Sequence, residues 1–154
     1  MKAMVTGGLG FIGSNLVDRL IRLGYKVLVV DDLSSGKIEF VNGEAEYVYE
    51  DFKSFLACPD KSIDVVFHLA AEARIQPSFE MPLYTCENNS YGSAVVAEFA
   101  RRSDAKVVYA GSSSFYGGVY LNPYAFAKWQ GEEVFKMYSA VYNTSAGIAR
   151  FFNV

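Results

Sequence analysis

A tyrosine, a lysine and a run of serines in the second half of the chain are of the right kind to move a proton. Tyr124 and Lys128 are four residues apart in Tyr124-Ala125-Phe126-Ala127-Lys128, so on a helix they share one face and can project into one pocket. A free phenol has a pKa of about 10 and is a poor base at neutral pH, but a neighbouring ammonium stabilises its phenolate. A serine run, Ser112-Ser113-Ser114, lies shortly upstream and brings hydroxyl donors. Tyr-x-x-x-Lys pairs also arise often by chance on exposed helix faces, and the pair alone does not make a site.

A second constellation opens the chain. Thr6-Gly7-Gly8-Leu9-Gly10-Phe11-Ile12-Gly13-Ser14 sits where a first strand hands over to a first helix, and glycines 7, 10 and 13 are spaced G-x-x-G-x-x-G. Such glycines serve a tight turn, a close approach of backbone to pyrophosphate, and close helix–strand packing. The helix N-terminus at Phe11, Ile12 and Gly13 then offers N–H groups and the positive end of a dipole to phosphates. The bland alternative is a glycine-rich turn that only reverses the chain. Asp31 weighs against it, because it ends the second strand close to the offset of about 20 residues at which an acid meets the adenosine ribose hydroxyls. A carboxylate there repels a 2′-phosphate, which favours NAD over NADP. Asp32 is either a second ribose contact or a plain turn residue.

These residues need a scaffold, and the pattern around them supplies one. Short β-branched runs alternate with amphipathic stretches, which is the signature of βαβ units and a doubly wound parallel sheet in three layers, a Rossmann-type α/β fold. Strands are expected near Lys2–Thr6, Lys26–Val30, Ala45–Tyr49, Ile63–His68, Lys106–Ala110 and Ser145–Phe151. Runs such as Val27-Leu28-Val29-Val30 are apolar throughout, as strands covered on both faces are. Helices are expected near Phe11–Leu23, Tyr84–Arg102 and Pro123–Tyr142, with a shorter piece around Phe52–Ala57. Phe11, Ile12, Leu16, Leu20 and Leu23 form the apolar stripe of the first, and Gly24 is its stop.

Composition narrows the function class. The 154 residues suit one domain, 1–154, and the net charge of −3 with scattered basic residues leaves no footprint for nucleic acid. No run of 18 apolar residues is present to span a membrane, and Met1–Val5 reads as a strand rather than a signal peptide. Cys58 and Cys86 have neither CxxC spacing nor nearby histidines, so no disulfide framework and no metal site is expected, and a reducing cytoplasm is the default.

With these motifs in order, the sequence resembles the extended short-chain dehydrogenase/reductase family, the NAD-dependent epimerases and dehydratases of nucleotide sugars. TGGLGFIGS and VVDDLSSG look like its cofactor signatures, and Asp51, followed by Phe52, matches the acid that touches the adenine. His68-Leu69-Ala70-Ala71 resembles the HLAA segment whose backbone lies along the cofactor; His68 itself reads as a structural hydrogen-bonder. Pro82, Asn89 and Gly92 resemble P-x₆-N-x₂-G, in which the asparagine organises the active site, with Asn88 an adjacent competitor.

Gly111–Gly117 resembles the S-S-x-x-Y-G segment, and the family spacing assigns Ser112 as the serine that hydrogen-bonds the reacting sugar oxygen, with Ser113 the fallback. The resemblance makes Tyr124 the general acid/base and Lys128 both its partner and a holder of the nicotinamide ribose. Tyr116 is either packing or a substrate contact. Arg150-Phe151-Phe152-Asn153 resembles R-x-F-N, whose asparagine meets the sugar nucleotide.

The resemblance implies transient oxidation of a sugar C4 hydroxyl, hence 4-epimerisation. A 4,6-dehydratase needs an acid pair at positions held here by Ser113 and Ser114, and a non-catalytic NAD-binding module is the remaining alternative. A homodimer through the helices at Tyr84–Arg102 and Pro123–Tyr142 is implied, with Phe99, Phe135 and Tyr138 as apolar surface. Two departures stand out. Only six residues separate Gly117 from Tyr124, where the family carries a substantial substrate loop, and the family's C-terminal substrate domain is expected to be absent.

Overall fold

The computed structural model describes residues 1–152. Six strands form one wholly parallel sheet: β1 (Lys2–Thr6), β2 (Lys26–Val30), β3 (Glu46–Val48), β4 (Val65–His68), β5 (Lys106–Ser112) and β6 (Ala146–Phe151), in the order β3-β2-β1-β4-β5-β6. The order reverses between β1 and β4, and in such sheets ligands occupy the crevice at the carboxyl ends of the strands around the reversal.

Alternation along each strand divides the core in two. Ala3, Val5, Val27 and Val29 point to one face, where they pack with Val17 and Leu20 of α1 (Phe11–Arg22). Met4, Leu28, Val30, Val66 and Tyr109 point to the other and meet Val96 and Phe99 of α5 (Gly92–Ser103). Phe135 of α7 (Pro123–Tyr142) joins them. Both faces are covered, which is why the central strands carry runs such as Val27–Val30 and Val65–Phe67 that are apolar without a break.

The first helix differs from expectation in its buried face. Phe11 is 66% and Leu23 56% exposed, and the residues packed on the sheet are Gly13, Val17 and Leu20. The close seat of Gly13 on the turn rotates the helix, so the stripe read from the larger side chains lies partly in solvent. The expected helix Tyr84–Arg102 is also more elaborate. It comprises α4 (Pro82–Cys86), a π-helical turn (Glu87–Tyr91) and α5, and is preceded by an unforeseen α3 (Ile75–Glu80). Two further short helices complete the set, α2 (Phe52–Phe55) and α6 (Ser114–Gly117).

Aromatic rings run across the α5/α7 side of the sheet. Phe52 lies 5.1 Å from His68, His68 5.8 Å from Tyr109, and Tyr109 4.9 Å from Phe135, centroid to centroid. His68 is fully buried and shares a 2.8 Å hydrogen bond through Nδ1 with Thr6 Oγ1. Burial, with the nearby Lys128 charge, pushes its pKa down to about 3. The unfolded histidine titrates near 6.5, so its contribution to stability is complete above that pH and is lost as pH falls through that value toward 3. His68 is the only histidine in the chain. Its imidazole resonances in NMR should therefore show no protonation between pH 7 and about 4.5 while the protein is folded; a midpoint near 6 would refute a sealed site.

Candidate active site

Every expected site residue within 1–152 lies at the carboxyl edge of the sheet or on the helices facing it. Asn153 lies outside the described residues. At the end of β1, Gly7 adopts φ +72°, and a Cβ there would stand 2.7 Å from the Ala70 nitrogen. A Cβ on Gly13 would stand 2.1 Å from the Gly7 carbonyl oxygen, so only glycine lets α1 approach the turn. Gly10 is different: its Cβ would meet only that oxygen, at 3.4 Å, and the outer side of the turn stays open. The helix above begins without a side-chain cap and without an acid in its first turn. Its N–H groups and dipole are therefore left for an anion.

The acids of the adenosine side separate. Asp31 is buried and accepts hydrogen bonds from the Leu9 N–H at 2.9 Å and the Leu33 N–H at 3.0 Å, tying β2 to the glycine turn. Asp32 is exposed and accepts from the Ser34 N–H and hydroxyl at 2.9 and 2.6 Å, the geometry of a turn residue. Asp51 caps α2 by accepting from the Lys53 N–H at 2.8 Å. Phe52 is buried with its ring against His68, so its side chain belongs to the core. The Leu69 and Ala70 N–H groups return to Thr6, at its carbonyl (3.1 Å) and hydroxyl (3.4 Å), which holds this backbone beside the turn.

The π-helical turn decides between the two asparagines. Asn89 is buried and makes two hydrogen bonds to the Glu72 backbone, accepting from its N–H and donating to its carbonyl, both at 2.9 Å. It therefore fixes the segment just beyond Ala71. Asn88 turns the other way, toward Lys53.

Tyr124 and Lys128 open α7, whose cap Asn122 accepts from the Ala125 N–H at 2.8 Å. The helix start is anchored again by the buried Ser78 hydroxyl, which accepts from the Tyr124 N–H at 3.2 Å. Lys128 is 5% exposed, and its Nζ stands 4.8 Å from the centroid of the Tyr109 ring. Among the described residues no carboxylate lies within 4.0 Å of that nitrogen. Burial pulls its pKa down to about 8, and Glu132, one turn further along α7, partly opposes this. The Ser112 hydroxyl, at the end of β5, accepts from the Ser114 N–H at 3.2 Å and bonds the Ser114 hydroxyl at 2.8 Å. Ser113 donates its N–H to Phe151, continuing the β5–β6 ladder.

A charged pair beside this face was not among the residues expected from the sequence to form the site. Glu132 is 1% exposed and receives Arg150 through Nε at 3.0 Å and Nη2 at 2.7 Å. Arg150 donates from Nη1 to the Tyr116 hydroxyl at 3.0 Å and lies 3.8 Å from the Phe115 ring centroid. Tyr116 is thus held at the site by a hydrogen bond while its ring is exposed. The spacing Lys128–Glu132 is again four residues, and an acid there is the one hint the sequence held.

Lys128 sets a testable pH dependence. Its folded pKa is below that of the unfolded chain, so between about pH 8 and 10 the unfolded state binds more protons and stability rises with pH. Tyr109, kept neutral by burial, opposes the trend above about pH 10. Replacing Lys128 with Met should raise the thermal midpoint at pH 7, because the buried charge costs about 3 kcal/mol there, and should flatten the rise above pH 8. A midpoint unchanged or lowered at pH 7 in calorimetric scans would contradict a desolvated ammonium.

Comparison with known proteins now adds to this geometry. The model of the NAD dependent epimerase/dehydratase family matches residues 3–154. A putative UDP-glucose 4-epimerase of Methanocaldococcus jannaschii is 34% identical over 171 aligned positions, covering 98% of this chain and 55% of the relative. The alignment is longer than the chain, so the relative carries residues that are missing here. Among solved structures, the UDP-glucose 4-epimerase of Thermotoga maritima with UDP-glucose superposes with a TM-score of 0.90 at 30% identity, over 97% of this chain and 55% of that one. The UDP-glucose 4-epimerase of Brucella ovis in complex with NAD gives 0.88 at 27% identity, over 99% and 52%. The chain spans about half the length of the relatives it matches. By its sheet order, its glycine turn and this match along nearly its whole length, the chain belongs to the NAD-dependent epimerase/dehydratase family.

Proposed function

We propose that this chain is the NAD-binding part of a nucleotide-sugar 4-epimerase. The observation that carries the reading is the burial of Lys128 one turn from Tyr124. A chance Tyr-x-x-x-Lys pair on a helix surface keeps its ammonium in water, whereas this one is 5% exposed, at a carboxyl-edge site that also holds Ser112 and the glycine turn. An ammonium is desolvated without a partner carboxylate only at a cost, and a site that uses its charge accounts for that cost.

In this reading the N–H groups of Phe11, Ile12 and Gly13 hold the pyrophosphate, and Gly10 leaves room for it. Asp31 takes the adenosine ribose and excludes a 2′-phosphate. Asp51 takes the adenine, and the Leu69–Ala71 backbone lies along the dinucleotide in a position kept by Asn89. Lys128 holds the nicotinamide ribose. NAD, when bound, supplies the acceptor and later the donor of the hydride at the sugar carbon. Tyr124 takes the proton of the C4 hydroxyl and returns it after the sugar has presented its other face. Ser112 donates a hydrogen bond to the reacting oxygen, and Asn153 contacts the nucleotide sugar. Dehydration is disfavoured because Ser113 and Ser114 hold the positions where the 4,6-dehydratases need acids.

The apolar surface for a homodimer is not the one expected. Phe99 and Phe135 are buried against the sheet, so Leu83, Tyr91, Met137 and Val141, all exposed, are the side chains we assign to pairing through α4, the π-helical turn and α7. A monomer by light scattering at high micromolar concentration would refute this. Among the described residues no helix is long and apolar enough to cross a membrane, and we place the protein in the cytoplasm.

The test of the reaction uses Tyr124→Phe in the longest polypeptide its reading frame encodes. Loss of a positioned acid/base should lower UDP-sugar 4-epimerisation by about 10²–10⁴-fold. Calorimetric titration should give unchanged NAD affinity and a clear preference for NAD over NADP. Retention of more than about a tenth of the activity would remove Tyr124 from the role; equal or tighter NADP binding would remove Asp31 from its own.

A further inference from the structure

The corner that carries Asp51 is weakly held by its own elements. β3 is an edge strand of three residues paired only with β2, and α2 has four residues, too few to be stable alone. Phe52 anchors the corner on the apolar side, buried against His68 and against α5 at Gly92, where a Cβ would stand 2.6 Å from its ring.

On the polar side the tie is one residue. The Lys53 side chain is 13% exposed although it carries a charge. Its Nζ meets Asp51 Oδ2 at 2.9 Å and donates to Asn88 Oδ1 at 2.7 Å, with Glu87 Oε1 at 3.9 Å. Asn88 is itself braced by donating to the Tyr84 carbonyl at 3.1 Å. The Lys53 backbone N–H donates to Asp51 Oδ1 at 2.8 Å, so Lys53 holds both carboxylate oxygens. The other end of the clasp is the π-helical turn, whose next residue, Asn89, fixes the backbone beyond Ala71.

We infer that Lys53 is a positioning residue for the cofactor: it orients the Asp51 carboxylate toward the adenine and, through Asn88, joins that corner to the turn whose Asn89 shapes the middle of the dinucleotide cleft. This rests on the NAD-binding reading above. It assigns a purpose to Asn88, which neither the fold nor the reaction otherwise requires. It also accounts for a charged amine kept from solvent at a surface corner, where an ordinary exposed ion pair contributes little.

The test is calorimetric titration of NAD and of ADP-ribose into the chain and its Lys53→Met, Lys53→Arg and Asn88→Ala variants, with thermal midpoints for each. Lys53→Met should weaken both ligands about tenfold, since charged hydrogen bonds are lost from the group that meets the adenine. The thermal midpoint of the free protein should stay close to that of the unsubstituted chain. Lys53→Arg, which keeps charge and reach, should recover most of the affinity, and Asn88→Ala should give an intermediate loss. Unchanged affinity in Lys53→Met overturns the inference and leaves the NAD reading standing. A loss matched by a falling midpoint, and not recovered by arginine, overturns it in favour of a purely structural role. An unsubstituted chain that binds neither ligand overturns the NAD reading, and the inference with it.

Discussion

The carboxyl edge of this sheet is organised by how closely two pieces of backbone can lie together. Gly13 sits so near the Gly7 carbonyl, and Gly7 so near the Ala70 nitrogen, that neither position has room for a Cβ. That contact seats the N-terminus of α1 over β1, rotates the helix so that Gly13, Val17 and Leu20 face the sheet, and brings the end of β4 alongside the turn. Asp31 locks the arrangement from the third side through the Leu9 N–H. The uncapped start of α1 and the end of β4 thus share one rigid corner.

The opposite half of the site depends on burial rather than on close backbone. The rings of Phe52, His68, Tyr109 and Phe135 form a continuous apolar layer. Against it lie the two buried charges of α7, Lys128 and Glu132. They are handled differently: Glu132 is fully paired by Arg150, whereas Lys128 has only an aromatic face and a carboxylate one turn away. Stability alone would favour an apolar side chain at 128. Binding sites keep such unfavourable charges, which is the ground on which the proposed reading pairs Lys128 with Tyr124.

The helices between β4 and β5 connect the two halves. One extra residue in the π-helical turn lets adjacent asparagines point apart, Asn88 to Lys53 at the adenosine end and Asn89 to the Glu72 backbone at the middle. Such turns are rare and occur often at functional sites. Farther along, Ser78 of α3 reaches the start of α7 and sets where Tyr124 begins.

What could be read from the chain alone is whatever a local pattern encodes. Unbroken apolar runs placed β1 and β2 to the residue, the glycine spacing located the tight turn between β1 and α1, and Tyr124 and Lys128 were put on one helix by their separation. Each follows from a period or a spacing within about 20 residues. The tertiary structure decided everything that depends on which surfaces meet. It buried Phe99 and Phe135, which periodicity could not distinguish from outward-facing aromatics. It turned Phe11 and Leu23 to solvent, set Asp32 against Ser34, buried Asn89 against the Glu72 backbone, and brought Lys53 to Asn88 and Arg150 to Glu132 from 35 and 18 residues away. Those pairings are contacts between elements, and no periodicity within one element records its partner's side chains.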